Sequence, residues 1–332
     1  MPTQRMAGAL VASVLFFGTC LGSVGFQQAT VPDPSGKAIS AGIWYPSNSE
    51  PAAHLLETFS QDVAVQAPIA GYGLPLILIS HGTGGSLASH YDTANALARA
   101  GFVVIGVTHT GDNFRDATYV GNRRDLIDRP RQMKVALDWM LSSWDGHGNL
   151  NPRRVGVFGF SLGGFTAAVL AGGVPKLSRM AQLCTSTPTA PECAFIKNAQ
   201  GDQLDPNPPE PVWVHDARIK AAVIAAPAAG YLFAPGSLRD VSAPIQMWRA
   251  EKDTQAPDAW NGAFIRDDLR VHPDSHTVEG ADHFVFLAPC SEAMAATAPQ
   301  VCQDASGIDR TAFHRALNRS VVDFFTINLR ER

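Results

Sequence analysis

The sequence predicts an α/β fold, a mostly parallel sheet with helices on both faces. Three observations point there. Several short runs are apolar without alternation, as strands covered on both faces are. Segments with apolar residues at helical spacing stand between them. The two kinds of segment alternate along most of the chain.

In order, residues 24–30 and 38–45 read as strands around the turn Pro32-Asp33-Pro34-Ser35-Gly36. A loop rich in Pro, Ser and Ala follows, and residues 74–80 (Leu-Pro-Leu-Ile-Leu-Ile-Ser) are the first buried strand. Residues 91–100 carry Tyr91, Ala94, Leu97 and Ala98 at helical spacing, and Gly101 stops them. Residues 102–108 are the next strand. Residues 130–141 read as a helix with Met133, Leu137, Met140 and Leu141 on one face and Pro130 in its first turn. Strand 155–159 leads into a small-residue helix at 162–171. Residues 219–226 and 245–250 add two strands, and 309–329 closes the chain as a helix with Phe313, Leu317, Val321, Phe324 and Phe325 inward. Residues 172–214 interrupt the alternation with the run Asp205-Pro206-Asn207-Pro208-Pro209-Glu210-Pro211. A stretch that long in a compact unit is expected to be functional, and we read it as a small lid inserted into one domain spanning 23–332.

The chain has 332 residues, 45% hydrophobic and 17% charged, with a net charge of −4. That composition supports a sizeable core and excludes wholesale disorder. With no Lys/Arg stripe, nucleic acid is not an expected partner. Residues 1–22 have the order of a signal peptide, with Arg5 before an apolar stretch too short for a membrane span. The expected location is therefore periplasmic or secreted, with no stable membrane span. Phe17-Gly18-Thr19-Cys20 is a poor lipobox, so a lipid anchor at Cys20 is the lesser alternative. Without the leader, Cys184, Cys193, Cys290 and Cys302 remain, two pairs close in sequence. In an exported chain these are expected as the disulfides Cys184–Cys193 and Cys290–Cys302.

The chemistry centres on Gly159-Phe160-Ser161-Leu162-Gly163. An apolar strand precedes it and a small-residue helix follows, the context in which Gly-x-Ser-x-Gly presents a nucleophilic serine. A serine hydroxyl is a weak nucleophile and needs a base. His283 is the candidate, late in the chain and before the last helix, with His276 and His272 as rivals. The acid that would orient it is expected after strand 245–250, where Asp253 is preferred over Asp258 and Glu251. Acyl transfer also needs donors for an oxyanion. The Leu162 amide is one. The loop His81-Gly82-Thr83-Gly84-Gly85 is expected to bring the second, from Thr83.

With Ser161, Asp253, His283 and the His81-Gly82 loop in that order, the chain resembles the α/β-hydrolase superfamily. More narrowly, it resembles the secreted "predicted dienelactone hydrolase" group, which is similar to the platelet-activating-factor acetylhydrolases. Val24-Gly25-Phe26, Ile43-Trp44-Tyr45-Pro46, Ser80 through Gly85, and Asp216 through Ala221 carry that likeness. Dienelactone hydrolases use Cys where this chain has Ser161, and the acetylhydrolases place their acid one strand earlier, where Pro227-Ala228 stand. The resemblance implies a serine esterase with no metal or organic cofactor; the leading expectation is a small-molecule or lipid-like carboxylic ester of short or medium acyl chain. Acyl transfer or peptide cleavage on the same residues, and a non-catalytic binding role, are the alternatives.

Overall fold

A computed structural model describes residues 22–199 and 203–331. Apart from Gly22, the expected signal peptide 1–22 and its Cys20 lie outside the described residues. Ten strands form the sheet: β1 (Ser23–Val31), β2 (Ile39–Ser47), β3 (Ala52–Leu56), β4 (Phe59–Val65), β5 (Leu74–Ser80), β6 (Val103–Thr108), β7 (Leu150–Phe160), β8 (Ile219–Ala225), β9 (Ile245–Ala250) and β10 (Asp274–Val278). The helices are α1 (Tyr91–Arg99), α2 (Arg123–Ser142), α3 (Leu162–Leu170), α4 (Arg179–Ser186), α5 (Pro191–Asn198), α6 (Gly262–Asp268), α7 (Glu292–Thr297), α8 (Pro299–Cys302) and α9 (Arg310–Asn328).

The strand order is β10-β9-β8-β7-β5-β6-β2-β1-β4-β3. From β10 to β6 every neighbour pair is parallel, and β2 joins β6 antiparallel. Successive side chains of a strand point to opposite faces. Leu76 and Leu78 of β5 accordingly pack with Met133, Leu137 and Met140 of α2 and Phe165 of α3. Ile77 and Ile79 face the other way, into a layer with Leu97 of α1 and Leu317, Val321 and Phe325 of α9. The apolar runs are continuous because both faces are covered.

The chain runs from β5 outward to β6, then returns across β5 to β7. In an open parallel sheet, ligands bind beyond the carboxyl ends of the strands where such a reversal occurs. Here those ends are Ser80 of β5 and Phe160 of β7, with Ser80 registered against Gly159.

The structure corrects two expectations. The loop after residue 45 contains a hairpin, β3 paired with β4, on the far edge of the sheet. The polar alternation of β4, with Ser60 and Asp62 exposed between Phe59, Gln61 and Val63, is that of a strand with one wet face, and β3 forms the edge. Helix α2 begins at Arg123, so Pro130 lies in its interior rather than its first turn. Asn122 caps this earlier start by accepting from the Arg124 amide at 2.8 Å. Around the proline, the neighbouring Arg129 is buried, paired with Asp112 and in contact with Asp125 one turn earlier.

Candidate active site

Ser161 stands at the turn from β7 into α3 with φ 55° and ψ −120°. A non-glycine residue there is strained by roughly 1–3 kcal/mol and persists only where its surroundings fix it. The Ser161 amide donates to the Ala225 carbonyl at 2.9 Å, and its own carbonyl accepts from Gly164 at 2.8 Å and Ala228 at 3.0 Å. The flanking glycines are required by close approach. A Cβ on Gly159 would collide with the Gly163 carbonyl, and one on Gly163 with the Ser80 carbonyl. Strand and helix thus touch backbone to backbone, and the serine is lifted to the rim of the sheet.

His283 opens a short 3-10 turn after β10, capped by Asp282, which accepts from the Phe284 amide. Asp253 lies in the loop after β9. The two loops are laced together: Lys252 donates to the Ala281 carbonyl at 2.8 Å, and Gly280 donates to Glu251 at 2.8 Å. One Asp253 oxygen accepts from the Gln255 and Ala256 amides at 3.0 and 2.8 Å. The other lies 2.7 Å from His283 Nδ1. A carboxylate is an acceptor only, so Nδ1 carries the hydrogen and donates it. That leaves Nε2 as the acceptor for the Ser161 hydroxyl, 2.9 Å away. Phe160 and Phe284 pack on the imidazole at ring separations of 4.8 and 5.4 Å. Ser161, His283 and Asp253 are all nearly covered.

The rivals sit elsewhere. Asp258 is engaged by Arg266 at 3.1 Å, Glu251 holds Gly280, and His276 stacks on Trp248 at 4.1 Å. Gly82 rests against Ser161, and no hydrogen-bond acceptor among the described residues takes the Thr83 or Leu162 amide. Both residues line the cleft over Ser161.

That cleft has a volume of about 560 Å³. Met180, Phe195 and Ile196 of the 172–214 stretch, with Val120 and Leu126, form one part of its apolar lining. Phe59, Leu287, Met294 and Val301 form another. The sulfurs of Cys184 and Cys193, and of Cys290 and Cys302, are bonded, with Cα separations of 5.6 and 5.8 Å. One disulfide lies in the segment that carries Met180, Phe195 and Ile196, the other in the segment that carries Met294 and Val301. A larger hollow of about 880 Å³, lined by Arg153, Arg154, Lys220 and Asp240, contains neither Ser161 nor His283.

Sequence reasoning missed the support of the Thr83 loop: His81, Asp112, Asp125 and Arg129. The Asp125/Arg129 spacing of four was visible, but such a pair ordinarily reads as a solvated helix face. The Arg129 side chain is fully buried.

No protein-family model matches the chain, and no curated protein sequence matches it. Among solved structures it is similar to a ferulic acid esterase from Streptomyces cinnamoneus, with a TM-score of 0.61 and 16% identity over 95% of this chain and 92% of that one. The chain has the α/β-hydrolase fold. No helix among the described residues is long and apolar enough to cross a membrane.

Proposed function

We propose that the protein is a serine esterase, cleaving carboxylic esters of short or medium acyl chain through an acyl-enzyme. The observation that carries this reading is the hydrogen-bonded chain from Ser161 through His283 to Asp253, at 2.9 and 2.7 Å, under an apolar cleft. Ser161 Oγ attacks the ester carbonyl while His283 Nε2 takes its proton. The Thr83 and Leu162 amides receive the oxyanion. Collapse of the tetrahedral intermediate expels the alcohol, which takes the proton from His283. Water, deprotonated by the same nitrogen, then releases the acid and restores Ser161. Asp253 holds the imidazole in the productive tautomer.

The fold shared with a ferulic acid esterase supports an ester as substrate. The apolar walls favour an uncharged or lipid-like ester over a polyanion. The 172–214 segment serves as the lid. Two disulfides suit an exported protein. The test is turnover of a p-nitrophenyl ester series by wild type and Ser161→Ala. Turnover that peaks at short or medium chains and vanishes in the variant is expected. Undiminished turnover by Ser161→Ala would refute the reading.

A further inference from the structure

We propose that Arg129 is a positioning residue for the oxyanion site, clamping the Gly82–Thr83 peptide so that the Thr83 amide points into the cleft. The proposal rests on the esterase reading above.

The geometry starts at the Gly82 carbonyl. It accepts from three donors: the Gly85 amide at 3.1 Å, His81 Nδ1, and Arg129 Nη2 at 3.3 Å. The peptide is trans, so its N–H, which belongs to Thr83, points opposite to that carbonyl. Donors gathered on one side therefore aim the Thr83 amide at the other, where no acceptor among the described residues meets it. Arg129 also donates from Nη1 to the His81 carbonyl at 2.7 Å. Its Nη2 and Nε reach Asp112 at 2.8 and 3.2 Å, and the second oxygen of Asp112 accepts from the Gly84 amide at 2.7 Å. The loop is thus held on both sides of Thr83 by one guanidinium and its carboxylate partner. A planar fork is needed to reach two carbonyls and a carboxylate together.

The tautomer of His81 agrees. The His109 amide donates to His81 Nε2 at 3.0 Å, which leaves the hydrogen on Nδ1, facing the Gly82 carbonyl. Burial, and then the Arg129 charge, push His81 down to about 3, so the ring stays neutral. Asp125 completes the cluster, 3.3 Å from Arg129 Nε. Burial and then the Asp112 charge push its carboxyl well above the usual range, toward the neutral form. The Arg129–Asp112 ion pair lies wholly out of water behind the peptide. A cation on the carbonyl side polarises the peptide toward a more acidic N–H, which favours an oxyanion more than a ground-state carbonyl.

The test is steady-state kinetics of wild type, Arg129→Lys and Asp112→Asn on a soluble p-nitrophenyl ester, with folding checked by near-UV circular dichroism. Affinity for a trifluoromethyl ketone, which mimics the tetrahedral intermediate, is read on the same samples. Loss of an oxyanion donor lowers kcat about 100- to 1,000-fold, so a misaimed one is expected to lower it about 10- to 100-fold. KM should change by less than about threefold, and ketone affinity should fall with kcat. Folded variants with wild-type kcat, or a loss carried by KM alone, would overturn the proposal. Failure of both variants to fold would reduce Arg129 to a stability residue and overturn it as well. Absence of ester turnover by the wild type would instead overturn the esterase reading.

Discussion

At Ser161, backbone strain coincides with the proposed nucleophile. Its left-handed backbone is tolerated because Ala225, Gly164 and Ala228 hold its peptide groups and because Gly159 and Gly163 leave room. Replacing Gly163 with Ala would drive a methyl into the Ser80 carbonyl. Such overpacking costs about 1–3 kcal/mol or more, and a lowered melting temperature with lost turnover is expected. The role proposed for Asp253 is different and runs through the imidazole. Asp253→Asn is expected to leave the fold intact and lower kcat by about 10³–10⁴, because an amide can donate to Nδ1 and select the wrong tautomer. Unchanged kcat in that variant would remove Asp253 from the mechanism. Ser161 was legible because its motif has a rigid steric reason. Arg129 was not, because a buried arginine and a surface arginine look identical until the chain is folded.

The elements show a similar division. Strands β5 to β8 were legible because continuous apolar runs have few other uses in a chain of this composition. The β3–β4 hairpin was not, since a short strand with one polar face resembles a loop rich in small residues. The start of α2 was hidden by Pro130, which reads as a first-turn residue unless the Arg129 contacts are known. Two segments lining the cleft yield a prediction at this scale. Each is closed by a disulfide spanning a short loop, a constraint worth about 2–3 kcal/mol. Replacing Cys184 and Cys193 with Ser is expected to loosen Met180, Phe195 and Ile196, and to raise KM for the longer esters more than it lowers kcat. An unchanged KM across the ester series would show that this segment does not contact substrate.

For the whole molecule, several carboxylates pin the layers together. Asp33 of the β1–β2 turn meets Arg131 of α2 at 2.7 Å. Arg218 of the β7–β8 connection bridges Asp216 and Asp138 of α2. Burial pushes Asp33 and Asp216 up, but their arginine forks outweigh it and hold both below the usual 3.8. A carboxyl with a lowered folded value contributes stability above its unfolded value, and that stability disappears as pH falls through the folded one. Thermal melts should therefore fall as pH drops below about 6.5, where the unfolded chain takes up a proton at His81 that the fold refuses, and fall further below about 4 as these carboxylates are lost. The double variant Asp33→Asn, Asp216→Asn should melt lower at pH 7 and show a shallower acid slope. An identical acid slope would assign the loss to other groups. The same framework sets Ser161, His283 and Asp253 at the ends of three different strands, so the esterase reading depends on the sheet as a whole. Its most direct test is labelling of the intact, oxidised protein with a fluorophosphonate, followed by mapping of the adduct. One equivalent on Ser161, with parallel loss of ester turnover, is the expected result. An adduct at any other residue, or full turnover after Ser161 is blocked, would contradict it.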